Sequence, residues 1–334
     1  MVGAGWFGTL HFEAWDRLGC EIVGVHTPDP AGAAALCERH GAPHFDDLAA
    51  MVEATAPDLV DIVAPPQAHL PSIRAALAAG APAIQCQKPF CGGLADAEAA
   101  VAAAAAAGAT LAVHENVRFQ PWYREAKRLL NAGALGEPYQ VNFRLRPGDG
   151  AGPDAYLGRQ PYFRDMARFL VHETAIHWID TFRFLLGAFE GVTAHLVRRN
   201  PAIAGEDGGV ILLDRADGTL AVFDANRLAD HAAEDHRLTL GEMLLEGSEA
   251  ALSLDGRGRL WLRRRGEATP REHAYDWRGH GFGGDCVHAT CAALLAHLRE
   301  GAPLENDARA YLANLRIEEA AYLSAAEGRR VALG

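Results

Sequence analysis

Three residues midway along the chain have the types and spacing for proton transfer: Glu173, His177 and Asp180. An imidazole titrates near neutral pH and suits a general base. Spacings of four and three place the three side chains on one face of a helix. The plainer reading is a capping Glu, a packed His and a surface Asp. A second constellation stands at the start. Gly3-Ala4-Gly5-Trp6-Phe7-Gly8 spells G-x-G-x-x-G. Between a strand and a helix, such a turn lets backbone N–H groups approach a pyrophosphate at a helix N-terminus. Met1 and Val2 are the only strand residues ahead of it, residues 9–15 read as helix, and 21–25 as the next strand. That context selects a dinucleotide site over an ordinary tight turn. Trp6 and Phe7 would wall the turn or simply pack. Lys88 follows a short apolar run and so falls at a strand end, where open α/β sheets bind ligands. Its plainer reading is a solvated loop lysine.

Composition narrows the function classes. The chain has 334 residues, 49% hydrophobic and 22% charged, enough for two cores. Its net charge of −12 argues against nucleic acid, which needs a basic surface. The longest basic run, Arg263-Arg264-Arg265, reads as a solvated strand edge. No apolar stretch is long enough to span a bilayer and no signal peptide is evident, so a cytoplasmic protein is expected. Cys20, Cys37, Cys86, Cys91, Cys286 and Cys291 read as reduced thiols. The two C-x4-C spacings match no standard zinc motif, so a cluster of Cys286, His288 and Cys291 is disfavoured and no metal is expected.

The elements that must position these residues fall into two groups. Over 1–118, strands at 59–64, 83–86 and 110–113 alternate with helices at 71–79 and 96–107. Gly80 and Gly108 close those helices. The pattern predicts an α/β doubly wound parallel sheet. Over 119–334, a helix at 121–131 precedes strands at 139–145, 191–198, 208–213, 220–224, 243–246 and 258–264. A helix at 174–186 interrupts them, and helices at 285–299 and 307–326 close the chain. This predicts an α+β domain with a large open, mostly antiparallel sheet. No internal repeat or disordered linker is evident.

Together these features resemble the Gfo/Idh/MocA family of NAD(P)-dependent oxidoreductases. The marks are the glycine turn; Pro65-Pro66-Gln67-Ala68-His69; Gln87-Lys88-Pro89; Asn116-Val117-Arg118-Phe119; Glu173-x3-His177-x2-Asp180; and the tail from Gly283 through Arg316 to Gly328. The resemblance spans essentially the whole chain. It implies a Rossmann domain over 1–118 and a substrate-binding and oligomerisation domain over 119–334. It implies NAD, with NADP as the alternative, along Gly3, Gly5, Trp6, Phe7 and Gly8, with Thr27, Pro65, Gln67, His69, Gln87, Lys88 and Asn116 contributing. It implies that Lys88 and His177 relay the proton of a sugar or polyol carbinol, and that Glu173 orients substrate hydroxyls or His177. Arg118, Tyr162, Arg164 and Arg168 are expected to contact substrate, or an oligomer partner. The segments 160–164 and 171–177 are similar to a sugar-dehydrogenase branch that includes D-apiose dehydrogenases.

Three departures from the family pattern stand out. The strand before Gly3 is nearly absent, which suggests that the sequence omits residues ahead of Met1. Thr27 stands where an acidic residue normally holds the adenosine ribose, with Asp29 as a substitute. No arginine is there to receive a 2′-phosphate, which favours NAD. Gln87 replaces the usual Glu before the lysine, which removes a charge beside Lys88 and eases its deprotonation. Two other readings compete with a dehydrogenase: an NAD-dependent glycoside hydrolase of the same family, and a non-catalytic dinucleotide sensor. The sensor would not need Lys88, Glu173 and His177 together. The expected assembly is a homodimer or homotetramer through the second sheet, because an uncovered apolar face invites association.

Overall fold

The structure is a computed structural model that describes residues 1–277, 279 and 281–334. The chain divides into two compact units: Met1–Asn116 with Asp285–Leu315, and Val117–Gly284 with Arg316–Gly334. Residues 285–315, read from sequence as part of the second domain, thus belong to the first unit.

The first unit is built on short parallel strands. Strands β1 (Val25–His26) and β2 (His44–Phe45) pair with each other, as do β3 (Val60–Ile62), β4 (Ala83–Gln87) and β5 (Thr110–His114). Val2 bridges the two sets, pairing in parallel with His26 on one side and Ile62 on the other. The two-residue stub therefore takes the central position in the order β2, β1, Val2, β3, β4, β5. The strand expected over 21–25 is confined to Val25–His26. Helices separate the strands, as βαβ connectivity requires. The alanine-rich helix Leu94–Ala107 buries Ala97, Ala100 and Ala104, and Gly108 ends it in the left-handed conformation at φ +66°. The helix Cys286–Glu300 is tied to the first helix, Trp6–Arg17, by a bidentate pair from Arg17 to Asp285 at 2.8 and 2.6 Å. Asn306 and Tyr311 bond to the backbone and side chain of Glu115 at 3.1 and 3.0 Å.

The second unit carries the larger sheet. Its strands are β6 (Pro138–Leu145), β7 (Gly191–Val197), β8 (Gly208–Asp214), β9 (Leu220–Asn226), β10 (Gly241–Gly247), β11 (Ala250–Leu254), β12 (Leu260–Arg264), β13 (Arg271–His273) and β14 (Val331–Ala332). They lie in the order β13-β12-β11-β10-β6-β9-β8-β7-β14, antiparallel except for the parallel pair β6–β9. Strand alternation puts Val141, Phe143, Ile211, Leu213, Ala221, Phe223, Met243 and Leu245 on the buried face. The helix Ile176–Leu186 packs there, with Trp178 stacked on Phe143 at 4.2 Å and on Phe223 at 5.5 Å.

One expectation needs correcting. The helix predicted over 174–186 is two structures. Leu170–Ala175 is a π-helical turn, in which the Ile176 N–H reaches back five residues to the Val171 carbonyl, and the α-helix begins only at Ile176. Glu173 lies in the wide turn and His177 in the α-helix, so uniform α spacing does not hold across the triple. Glu206 Oε1 caps the start of this turn, accepting from the otherwise unpartnered Phe169 and Val171 N–H groups at 3.2 and 3.1 Å.

Candidate active site

In the first unit the glycine turn has the shape of a phosphate cradle. Gly3 has φ +95°, and a Cβ there would lie 2.3 Å from the Val63 carbonyl oxygen, so only glycine fits. A Cβ on Gly8 would sit 3.2 Å from the Gly3 carbonyl oxygen, which keeps the helix close to the turn. Gly5 is the N-cap of Trp6–Arg17, makes no side-chain cap bond and has open space where a side chain would stand. An open helix N-terminus with no side chain in the way fits a dinucleotide pyrophosphate. Trp6 is 53% exposed beside it, and the Phe7 ring packs near His11 and His114 at 5.6 and 6.4 Å.

The rest of the cofactor set divides into exposed and bracing groups. Thr27 is nearly buried, and Asp29 is engaged as a helix cap, accepting from Gly32 N–H at 3.0 Å. Pro65 and Gln67 are exposed at the end of β3. His69 is fully buried with both ring nitrogens committed to backbone: Nε2 donates to the Ala64 carbonyl at 2.8 Å and Nδ1 accepts from Cys91 N–H at 3.2 Å. Burial pushes its pKa down to about 4, so it braces the two loops as a neutral ring. Asn116 is buried and donates to Cys286 Sγ at 3.1 Å.

Lys88 is half-buried at the end of β4, ahead of a cis peptide bond to Pro89. Behind it lies a buried polar chain that sequence reasoning missed. Gln87 Oε1 accepts from the Lys88 N–H at 2.7 Å. Its amide nitrogen therefore faces His11 Nε2 at 3.1 Å and His114 Nδ1 at 3.4 Å. Having accepted there, His11 donates from Nδ1 to Asp61 Oδ2 at 2.8 Å, and Trp15 Nε1 donates to the same oxygen at 2.6 Å. Burial favours neutral Asp61, but the bonds to His11 and Trp15, with His114 nearby, outweigh it and hold the pKa down to about 2. His11, His114 and Cys291 have ligand-type atoms within 4.8 Å of one another. The facing ring lone pairs of His11 and His114 are engaged by the Gln87 amide.

In the second unit, Glu173 and His177 are set by the π turn and the helix after it. His177 is nearly buried on the helix held by Trp178. Asp180 has no solvent exposure and takes a bidentate pair from Arg118, so it is an anchor and not a surface acid. Arg164 donates to the Pro153 carbonyl at 2.9 Å. Arg168 pairs with Glu319 at 2.5 and 3.0 Å and lies over the Tyr322 ring. Tyr162 is 55% exposed, its hydroxyl accepting from Gln160 at 3.2 Å. The π turn is fastened from behind: Tyr322 donates to Glu206 at 2.6 Å, and His172 bonds Glu318 at 2.7 Å.

A further group unmarked by any sequence motif is Arg227. It is 4% exposed, with Asp149 on Nε and an Nη at 3.1 and 2.6 Å and Thr174 Oγ1 on the other Nη at 2.7 Å. Thr174 in turn donates to Glu173 Oε2 at 2.8 Å. Burial works against the charge of Arg227, yet Asp149, Tyr156 and Glu173 hold its pKa above the ordinary value. Its place just beyond β9 was the only local signal.

A glycine cradle on a parallel sheet, in one chain with a second unit built on a large antiparallel sheet, is the plan of a two-unit nucleotide-dependent oxidoreductase. The family models for the oxidoreductase family with an NAD-binding Rossmann fold and for the GFO/IDH/MocA C-terminal domain match residues 1–115 and 123–249. The chain is 36% identical to a D-apiose dehydrogenase of Paraburkholderia graminis, over all of this chain and 88% of that one. A D-apiose dehydrogenase of Rhizobium rhizogenes is 31% identical, over all of this chain and 96% of its own. An oxidoreductase from Agrobacterium radiobacter, solved with NAD+, L-tartaric acid and magnesium, superposes with a TM-score of 0.89 at 29% identity, covering 99% of this chain and 96% of that one. The chain belongs to the Gfo/Idh/MocA family. It is an NAD-dependent oxidoreductase.

Proposed function

We propose that this enzyme oxidises a carbinol of a free sugar, with D-apiose the first candidate, and that Lys88 and His177 handle the hydroxyl proton. Bound NAD supplies the hydride acceptor. His177 takes the proton as the carbinol carbon loses hydride, because an imidazole nitrogen can act as a general base. Lys88 donates to the same oxygen and relays the proton with His177. Glu173 accepts from a neighbouring hydroxyl of the sugar. Asn116, Gln67 and Pro65 border the nicotinamide end in this reading, and Tyr162 meets the sugar. Arg118, Arg164 and Arg168 act by holding the elements they are bonded to. What carries the reading is that one chain holds Lys88, Glu173 and His177 and is alike over its whole length to relatives named for that reaction.

The test is NADH formation across D-apiose, other aldoses and inositols. Net NADH with D-apiose supports the reading, and transient oxidation with no net NADH supports a hydrolase instead. His177→Ala should lose about 10²–10⁴-fold in turnover, with cofactor affinity little changed. Lys88→Ala should be comparable, and the double variant little worse than either. A His177→Ala enzyme with near-full turnover would remove His177 as the base. NAD should bind tighter than NADP, and a tenfold preference for NADP, about 1.4 kcal/mol, would reverse that assignment.

The reading includes a cytoplasmic homodimer or homotetramer. It is supported by the uncovered face of the large sheet, where Leu244, Asn142, Val222 and Leu212 align across β10, β6, β9 and β8. Leu244 and Val210 are 39% and 42% exposed there. Among the described residues no helix is long and apolar enough to cross a membrane.

A further inference from the structure

We propose that Arg227 and Thr174 are positioning residues that lock the Glu173 carboxylate as a hydrogen-bond acceptor for a substrate hydroxyl. The inference rests on the reading of Glu173 given above and goes beyond it by naming what sets that role.

The argument is one of hydrogen-bond polarity. A guanidinium only donates. Arg227 spends Nε and one Nη on Asp149, and its other Nη donates to Thr174 Oγ1 at 2.7 Å. The Thr174 hydroxyl must therefore accept from Arg227. It has a single proton, and that proton goes to Glu173 Oε2 at 2.8 Å. The chain from Arg227 through Thr174 to Glu173 thus runs in one direction only. Glu173 Oε2 must be an acceptor, so it cannot be the oxygen that carries a carboxyl proton.

The chain is also rigid. The Arg227 guanidinium lies 4.7 Å from the Phe169 ring centre, 5.2 Å from Tyr156 and 5.5 Å from Phe163. Removing a cation from water is costly unless it is paired, and here it has a carboxylate, a hydroxyl and three ring faces. Thr174 is buried and sits in the π turn, a feature common at functional sites. The turn brings the hydroxyl of one residue onto the carboxylate of the residue before it. Arg159 and Tyr162 also sense the Glu173 charge, while Asp149 offsets Arg227 from the far side. Arg227 acts on the carboxylate through the Thr174 hydroxyl and not by an ion pair between the two. An oriented acceptor is the property needed to read a sugar hydroxyl.

The test compares Thr174→Val, which keeps shape and loses the hydroxyl, with Thr174→Ser, which keeps the hydroxyl, and with Glu173→Gln. Melting curves confirm folding, and Thr174→Ala substitutes for the valine if that variant fails to fold. With D-apiose and NAD, Thr174→Val should raise the sugar KM about tenfold, with kcat within about threefold and the NAD KM unchanged, and Thr174→Ser should restore the sugar KM. A substrate-independent readout is the carboxyl ¹³C titration of Glu173, assigned by its loss in Glu173→Gln. Its apparent pKa should rise by about half a unit or more in Thr174→Val and not in Thr174→Ser. An unshifted titration in Thr174→Val, or an unchanged sugar KM there while Glu173→Gln is impaired, overturns the inference. Full activity in Glu173→Gln overturns the reading of Glu173 itself.

Discussion

A carboxylate without solvent must be held by its neighbours, and Asp61 shows how tightly this unit does so. Burial disfavours its charge, but His11, His114 and Trp15 together hold the pKa down to about 2, against an ordinary value of 3.8. A depressed carboxylate contributes stability above its unfolded pKa and loses it as pH falls through the folded one. Stability should therefore drop by about 2 kcal/mol between pH 4 and pH 2, and Asp61→Asn should flatten that slope in urea titrations at several pH values. Gln87 gives a prediction of opposite sign. In Gln87→Glu a carboxylate would face the His11 lone pair, and one of the two must take up a proton on folding. A group with a raised folded pKa loses its contribution as pH rises. Gln87→Glu should therefore lose more melting temperature relative to the parent at pH 8 than at pH 6. Equal losses at both pH values would show that no such proton is bound. The Gln87-Lys88-Pro89 motif was plain in the sequence. The partners of Gln87 were not, because His11, Asp61 and His114 come from three other elements.

At the scale of elements, the π turn Leu170–Ala175 decides where Glu173 and Thr174 stand, and Glu206 caps the start of that turn. Its Oε1 takes two backbone N–H groups and the Tyr322 hydroxyl. Glu206→Ala leaves buried donors unpaired and should cost about 2–3 kcal/mol in denaturant unfolding. Glu206→Gln, which keeps an oxygen acceptor, should cost less than half as much. Tyr322→Phe removes a bond to a charged group and should cost about 1.5–3 kcal/mol. If Glu206→Ala unfolds like the parent, the turn is not held from that side. Strand positions were largely legible here, since period-2 alternation survives in β6 and β8–β11. The strand β11 (Ala250–Leu254) was missed although Leu252 and Leu254 alternate with Ser253, because only that short stretch carries the contrast. The widened turn had no sequence signal at all, since Val171-His172-Glu173-Thr174 has ordinary helical composition and the capping acceptor lies 35 residues downstream of Val171.

For the whole molecule, the open face of the nine-stranded sheet predicts self-association. Val222 and Leu212 point to that face, while their neighbours Phe223 and Ile211 are buried on the other. Light scattering at micromolar concentration should give the mass of a dimer or tetramer, and Val222→Arg should lower it, because a charge at a desolvated contact is costly. A monomeric parent protein would end the proposal of a homo-oligomer. The chain also passes between its two units at residues 116–117, 284–285 and 315–316. The sequence suggested one boundary, at residues 118–119, because helices such as Cys286–Glu300 carry no mark of the unit they join.

What the sequence determined alone was local in physical origin. The need for positive φ at Gly3 fixes the turn, strand–helix alternation fixes the parallel sheet, and alternation of period two fixes the large sheet. These depend on neighbours within a few residues, so motif and periodicity reveal them. What only the tertiary structure decided were the polar chains behind the candidate residues. Asp61–His11–Gln87–Lys88 and Asp149–Arg227–Thr174–Glu173 each join residues from distant segments. A buried hydrogen bond needs a partner within about 3 Å but places no demand on its separation along the chain. Such partners become visible only once the core has brought them together.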